Sequence, residues 1–275
     1  KDVFDAAGIA YPSNDMTMED YDALARQLTD TTYGSQVYGC HYHTWRSAVE
    51  LFGILDGKHS ILDGNYDWMI PYYDMILSEE DDGVCQTYTD LSTEGLHYSA
   101  AFSNGNVAMM NMGSWFISTL ISNLDSGEYD SSLCGNWGIA SYPHPDGAEA
   151  GSTIATITGL AVTSASANKD AAFDFVNWVS GTEGAKVMAS TGNFPAIMTD
   201  DVINTIAGMA GFPTDEGSKE ALNITNAYLE VPYAENVSEI NSILDTYHTS
   251  IMNREVTVEE GVASMNEQVG KILNQ

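Results

Sequence analysis

The chain has 275 residues, 44% of them hydrophobic, and sets 39 Asp and Glu against nine Lys and Arg, a formal charge of −30 at pH 7. That balance repels a phosphate backbone over most of the surface, which excludes nucleic acid as a partner and disfavours anionic ligands. No apolar run approaches the ~18 residues that span a bilayer, and the length suffices for one or two domains with a substantial core.

In chain order, Thr17-Met18-Glu19-Asp20 offers an N-cap with an acidic third helical position, and Tyr21, Leu24, Ala25 and Leu28 then share one face. These residues predict an amphipathic helix ending near Thr31. A short strand over Gln36 to Cys40 follows, then His41-Tyr42-His43-Thr44-Trp45 and an apolar helix through Val49, Leu51, Phe52, Ile54 and Leu55 to Gly57. A further helix covers Tyr66 to Leu77. Glu79-Glu80-Asp81-Asp82 reads as a solvated loop, because it lacks the alternating ligand spacing of a calcium loop. Val107 to Met110, bounded by Asn104-Gly105 and Gly113-Ser114, reads as a strand whose turn presents Trp115. That indole is either the cap of a core or a flat platform for a ligand.

Asn136 to Pro145 reads as a strand ending in a proline-broken loop. Asn168 or Ser166 caps a helix carrying Ala172, Phe175, Val176 and Val179 that Gly181 ends, and Thr182 caps the next, with Gly192 after its last turn. Val237, Ile240, Leu244, Tyr247 and Ile251 are spaced by three and four, as are Val258, Val262, Met265, Val269 and Ile272, so two helices pack through apolar faces. Thr257-Val258-Glu259-Glu260 is a capping box. Strands mixed with helices, without an internal repeat, place the chain in the α/β class.

Enzyme signatures are missing: there is no G-x-S-x-G elbow, Walker A loop, G-x-G-x-x-G fingerprint or H-E-x-x-H helix. His41 and His43 are two apart on an extended segment and point to one side, the geometry of a shared metal, yet the spacing nominates no third ligand. The expectation is therefore no metal, no cofactor and no catalysis. Cys40, Cys85 and Cys134 are odd in number and lack C-x-x-C spacing, which argues against a zinc ribbon and a disulfide framework. One disulfide with a free thiol, or three small buried apolar residues, both remain open readings.

The order of several motifs resembles the extracellular solute-binding proteins of ABC importers, in particular the family that includes maltose-binding protein. The motifs are Ala100-Ala101-Phe102 to Gly113-Ser114-Trp115, Asn136-Trp137-Gly138-Ile139, Thr158-Gly159-Leu160-Ala161-Val162, which matches a glycine-led crossover strand of the family, Lys169-Asp170-Ala171-Ala172 to Trp178, and Gly192-Asn193-Phe194-Pro195. Lys1-Asp2-Val3-Phe4 to Pro12 looks like a segment that in such proteins lies inside the mature sequence. The resemblance therefore implies a longer protein whose export signal and most of whose first-lobe sheet precede Lys1.

It further implies a type II periplasmic-binding-protein-like fold, here the C-terminal lobe with helices of an incomplete N-terminal lobe. Residues 1–150 and 236–275 would form the C-terminal lobe and 160–230 the helical part of the other, with crossings near 148–158 and 229–236. The implied function is capture of a sugar or oligosaccharide outside the cytoplasm, by a cell-surface lipoprotein or a periplasmic protein whose lobes close over the ligand for the membrane permease. By that likeness the ligand contacts are Tyr42, His43, Trp45, Trp115, Thr158, Phe194 and Asn241. A pyranose face is a patch of C–H groups with a hydroxyl rim, so it calls for flat apolar rings and a few directional polar groups. The chain departs from maltose-binding protein at Glu239-Ile240-Asn241-Ser242, where that protein has an aromatic pair, which argues for another glycan. A carbohydrate-active enzyme and a surface adhesion module are the alternatives. Self-association of the truncated chain is also expected, because Phe175, Val176, Val179, Val187 and Met188 form faces that in the family pack on the missing sheet.

Overall fold

The computed structural model describes residues 1–30 and 36–274 and divides them into two units. The first unit takes Lys1–Asn111, Ala140–Thr156 and Ile224 onwards; the second takes Met112–Ile139 and Ile157–Asn223. Met112–Ile139 therefore groups with the second unit, although the sequence reading placed it with the first. Its apolar residues Phe116, Ile117 and Leu120 are buried there.

The first unit opens with α1 (Asp2–Ala7) and α2 (Met18–Leu28), then β1 (Tyr38–His41), α3 (Ser47–Ile54), a 3₁₀ turn (Asp67–Met69) and α4 (Ile70–Asp81). It continues through α5 (Tyr88–Glu94), α6 (Tyr98–Ser103) and β2 (Val107–Met110). The chain then enters the second unit with α7 (Trp115–Ser126) and α8 (Ser131–Cys134), and returns for β3 (Thr153–Ala155). The second unit resumes with α9 (Lys169–Val179), α10 (Thr182–Ser190), α11 (Asp200–Ala207) and α12 (Glu216–Glu220). β4 (Ala227–Leu229), α13 (Val237–Met252) and α14 (Val258–Leu273) complete the first unit.

Two helix starts follow the predicted capping chemistry, whereas Asn168 precedes α9 without a side-chain cap and Thr182 is the first residue of α10, whose N-cap is Gly181. Thr17 and Asp20 form a reciprocal capping box on α2, and Thr257 and Glu260 form another on α14. Each box satisfies backbone N–H groups that a first turn otherwise leaves without acceptors. α2 stops at Leu28, and Thr31, where the sequence placed its end, lies outside the described residues.

β1 and β2 pair in parallel with Tyr38 opposite Val107 and Cys40 opposite Met109; β3 and β4 pair in parallel with Thr153 opposite Ala227. α2 lies directly against β1 because Gly39 lets the Ala25 backbone approach where any Cβ would collide with it. The core of this unit gathers Tyr21, Phe52, Tyr66, Met69, Tyr73, Ile240, Leu244, Val262 and Met265, all buried, and joins α2, α3, α4 and the α13–α14 pair.

Three expected features take another form. Asn136 to Pro145 forms no strand beyond a single parallel bridge of His144 to Thr17; earlier in the segment the Ile139 N–H donates to Ser218 Oγ at 3.1 Å and the Ser141 N–H to Asn14 Oδ1 at 2.9 Å. Side chains thereby supply acceptors that a neighbouring strand would have offered. Thr158 to Val162 is likewise unpaired, with Leu160 exposed, and the strand instead forms earlier as β3. Glu79-Glu80-Asp81-Asp82 is not a solvated loop, since α4 runs to Asp81 and both Glu79 and Glu80 are buried. Two of the nine cations offset this charge run: Arg26 Nη1 meets Asp82 at 2.5 Å and Arg254 Nη2 meets Asp81 at 2.8 Å.

In the second unit, Trp137 meets Phe212 edge-on at 6.1 Å, and Ala185, Ala189, Val202 and Ile206 are buried where α10 packs on α11. α9 has no buried residue, and its Phe173, Phe175 and Trp178 are exposed.

Candidate functional site

β1 ends at His41, and its alternation continues through the next two residues. His41 and His43 face the same side, their rings 6.4 Å apart and inclined by 29°, as a period of two requires. The same alternation sends Tyr42 the other way. Its ring is 5% exposed and meets Tyr21 at 6.4 Å and Phe52 at 6.3 Å edge-on, so Tyr42 is a core residue rather than a ligand contact. The alternation thus places this residue on the face opposite His43.

His43 and Trp45 do come together. The rings lie 4.5 Å apart edge-to-face, and Trp45 is 43% exposed. Two residues absent from the sequence-level site join them at the start of α6: Tyr98 lies 5.4 Å from His43 and 5.7 Å from Trp45, and the His97 ring 5.8 Å from His43. The local signal was the Gly95 turn followed by His97 as an N-cap, and nothing in the spacing linked it to His43. Burial, with the His97 charge adding to it, holds the His43 imidazole below its ordinary range. The cluster is thus a largely aromatic surface with hydrogen-bonding edges, suited to a polyhydroxylated molecule. Behind His43 a cavity of about 10 Å³, bordered by Gln86, Tyr88, Glu80 and His248, has the volume for a single water.

Arg46, next to Trp45, is buried and fixes the entry to α3. Its Nε and Nη2 donate to the two Glu50 carboxylate oxygens at 2.6 and 3.2 Å, and its Nη1 reaches Asp245 at 2.5 Å. The same guanidinium donates to the Asn241 main-chain carbonyl at 3.0 Å and to its Oδ1 at 2.6 Å. The amide oxygen of Asn241 is therefore spent on tying α13 to α3. Burial raises the Glu50 carboxyl against the opposing pull of Arg46.

The remaining predicted contacts belong to the second unit. Trp115 is the first residue of α7 and is 40% exposed. Its indole folds back over Gly113, where a Cβ would penetrate the ring. Phe194 is half-buried in the loop after α10, and Thr158 is exposed. The seven expected residues thus divide between the units, with Tyr42, His43, Trp45 and Asn241 in the first and Trp115, Thr158 and Phe194 in the second.

The family model described as bacterial extracellular solute-binding protein matches residues 1–186. A sugar transporter from Rhizobium etli, solved in an open conformation, is 47% identical with a TM-score of 0.90, over 98% of this chain and 68% of that one. An ABC substrate-binding protein from Listeria monocytogenes in complex with cycloalternan is 21% identical with a TM-score of 0.76, over 99% of this chain and 68% of that one. Maltose-bound MalE3 of T. maritima is 16% identical with a TM-score of 0.72, over 99% of this chain and 68% of that one. The last two are similar in fold. No curated protein matches the chain.

Proposed function

The chain belongs to the bacterial extracellular solute-binding protein family, and on that premise we propose that it captures a sugar or oligosaccharide for an ABC importer on the outer side of the cytoplasmic membrane. The observation that carries this is the 47% identity to a sugar transporter over 98% of the chain. Proteins of this family and fold bind substrates and are not enzymes, and no helix among the described residues is long and apolar enough to cross a membrane. The permease is the natural partner of such a component.

Within that function, the His43–Trp45–Tyr98 cluster and Trp115 serve as surfaces for the C–H faces of sugar rings. Three features support the assignment: both tryptophans are exposed, both sit at a turn that begins a helix, and burial holds the His43 imidazole below its ordinary range. Trp115→Ala and Trp45→Ala should each weaken binding by about 1–3 kcal/mol, the scale of one large ring contact, with the melting temperature unchanged. Calorimetric titration with gluco- and manno-oligosaccharides, beside thermal melts, measures both quantities. Intact affinity with a collapsed melting temperature would return the two rings to structural roles, and new reducing ends in the titration mixture would point to hydrolysis instead.

The bare face of α9 calls for a cover, and we assign it to a second copy of the 275-residue chain. Phe173 and Phe175, two apart and so on different sides of α9, are each about three-fifths exposed, and apolar surface left in water is unfavourable by about 25 cal/mol per Å². Light scattering over a concentration series should show dimers that Phe173→Ser/Phe175→Ser dissociates. A monomer at every concentration would contradict the assignment.

A further inference from the structure

One group of side chains in the first unit has no part in sugar capture. Cys40 lies on β1, Glu79 in the last turn of α4, and Cys85 just beyond it. The chain reverses through Gly83 at φ 70°, Val84 N–H closes back on the Glu79 carbonyl at 2.8 Å, and Cys40 N–H meets the Val84 carbonyl at 3.4 Å. That turn brings Cys85 alongside β1. The two sulfurs and a Glu79 oxygen lie within 4.8 Å of one another, all buried.

The cluster is polar and unsatisfied. The Tyr42 hydroxyl lies near enough to Glu79 to oppose the rise of its carboxyl, but neither Glu79 oxygen nor the buried hydroxyls of Tyr21 and Tyr42 has a partner in hydrogen-bond geometry. A buried carboxyl without partners costs on the order of several kcal/mol and demands a physical account. A disulfide would join the two sulfurs and leave Glu79 as it is. A divalent cation would engage all three groups. Around tetrahedral zinc, ligand atoms stand about 3.5–4 Å apart, so a closure of about 1 Å at most separates this arrangement from a coordination set.

We propose that Cys40, Glu79 and Cys85 form a buried binding site for a borderline-soft divalent cation of the zinc type, with the Tyr42 hydroxyl beside it. A thiol or carboxyl must give up its proton to coordinate a cation. Loading replaces those protons: one M²⁺ enters, two thiols and one carboxylic acid become ligands, and three H⁺ leave. Affinity should accordingly rise steeply with pH. No local spacing announces this site, because its ligands come from separate elements instead of a C-x-x-C repeat.

The test is titration of the full reduced chain with Co²⁺, read as a thiolate-to-cobalt charge-transfer band, and with Zn²⁺ as competitor. One equivalent of cobalt should produce the band and zinc should abolish it. Cys85→Ser and Glu79→Gln should each weaken cobalt binding at least tenfold, whereas Cys134→Ser, in the other unit, should leave it unchanged. No band in the reduced wild-type chain would overturn the site whatever the variants do. So would a band that persists in Cys85→Ser, or an oxidised chain two mass units lighter whose Cys40–Cys85 disulfide resists reduction in the folded state.

Discussion

Arg46→Met should destabilise the protein by about 3–5 kcal/mol, the largest effect expected of any single polar substitution in the chain. The magnitude comes from what stays behind. Glu50 has no exposed surface, and without Arg46 its carboxylate must either remain as an unpaired buried charge or take up a proton. Asp245 and Asn241 lose partners as well, but Asp245 is 63% exposed and water replaces the guanidinium there. Asp245→Ala should therefore cost less than about 1 kcal/mol. Arg46→Met/Glu50→Leu removes both buried charges and should recover most of the loss, since apolar groups of similar volume often match a buried ion pair. Urea denaturation of the three variants checks the ranking. A loss below about 1 kcal/mol for Arg46→Met would mean that Glu50 is solvated in a way its burial does not suggest.

Stability should also peak near pH 6.5 and fall on both sides. His41 and His248 are buried, and burial lowers their imidazoles from 6.5 to about 4 and about 3. Between pH 4.5 and 6.5 the unfolded chain therefore binds two protons that the folded chain refuses. Glu79 works in the opposite sense, because burial raises it from 4.5 to about 8 and the folded chain keeps a proton that the unfolded chain gives up. The net excess is one proton in the unfolded state, so stability rises with pH by about 1.4 kcal/mol per unit up to 6.5. Above that the imidazoles are neutral in both states and only Glu79 differs. Stability then declines at a similar slope until pH reaches about 8; on the acid limb the raised carboxyls of Glu50 and Glu80 subtract from the excess of these three groups and the lowered His43 adds to it.

Glu79→Gln keeps the shape and removes the proton. With chelator present and thiols reduced, it should gain about 2 kcal/mol over the wild type at pH 8 and flatten the alkaline limb, while the acid limb steepens. Denaturation midpoints from pH 5 to 9 decide this. A wild-type profile that rises throughout, or a variant profile parallel to it, would show that Glu79 ionises without difficulty in the folded protein.

Local rules carried much of the fold. Thr17 with Asp20 and Thr257 with Glu260 fixed two helix starts, because a cap needs only residues three apart. The three-and-four spacing of α13 and α14 and the strands β1 and β2 were equally legible, since periodicity and turn residues act over a few positions. So was the common side of His41 and His43. The order of motifs along the chain was enough to place it in its family. What alternation cannot say is which side of a strand meets the core, and only the packing of Tyr21 and Phe52 turned Tyr42 inward. An acidic run carries no mark of burial, so Glu79 waited on α4 lying against α2 and β1. Asn241 became a tie rather than a free polar group through Arg46, 195 positions away. Cys40, Glu79 and Cys85 met through a turn at Gly83 and a strand on another part of the chain. In each case the deciding energy is desolvation and contact between groups remote in sequence, and those terms exist only once the chain has closed on itself.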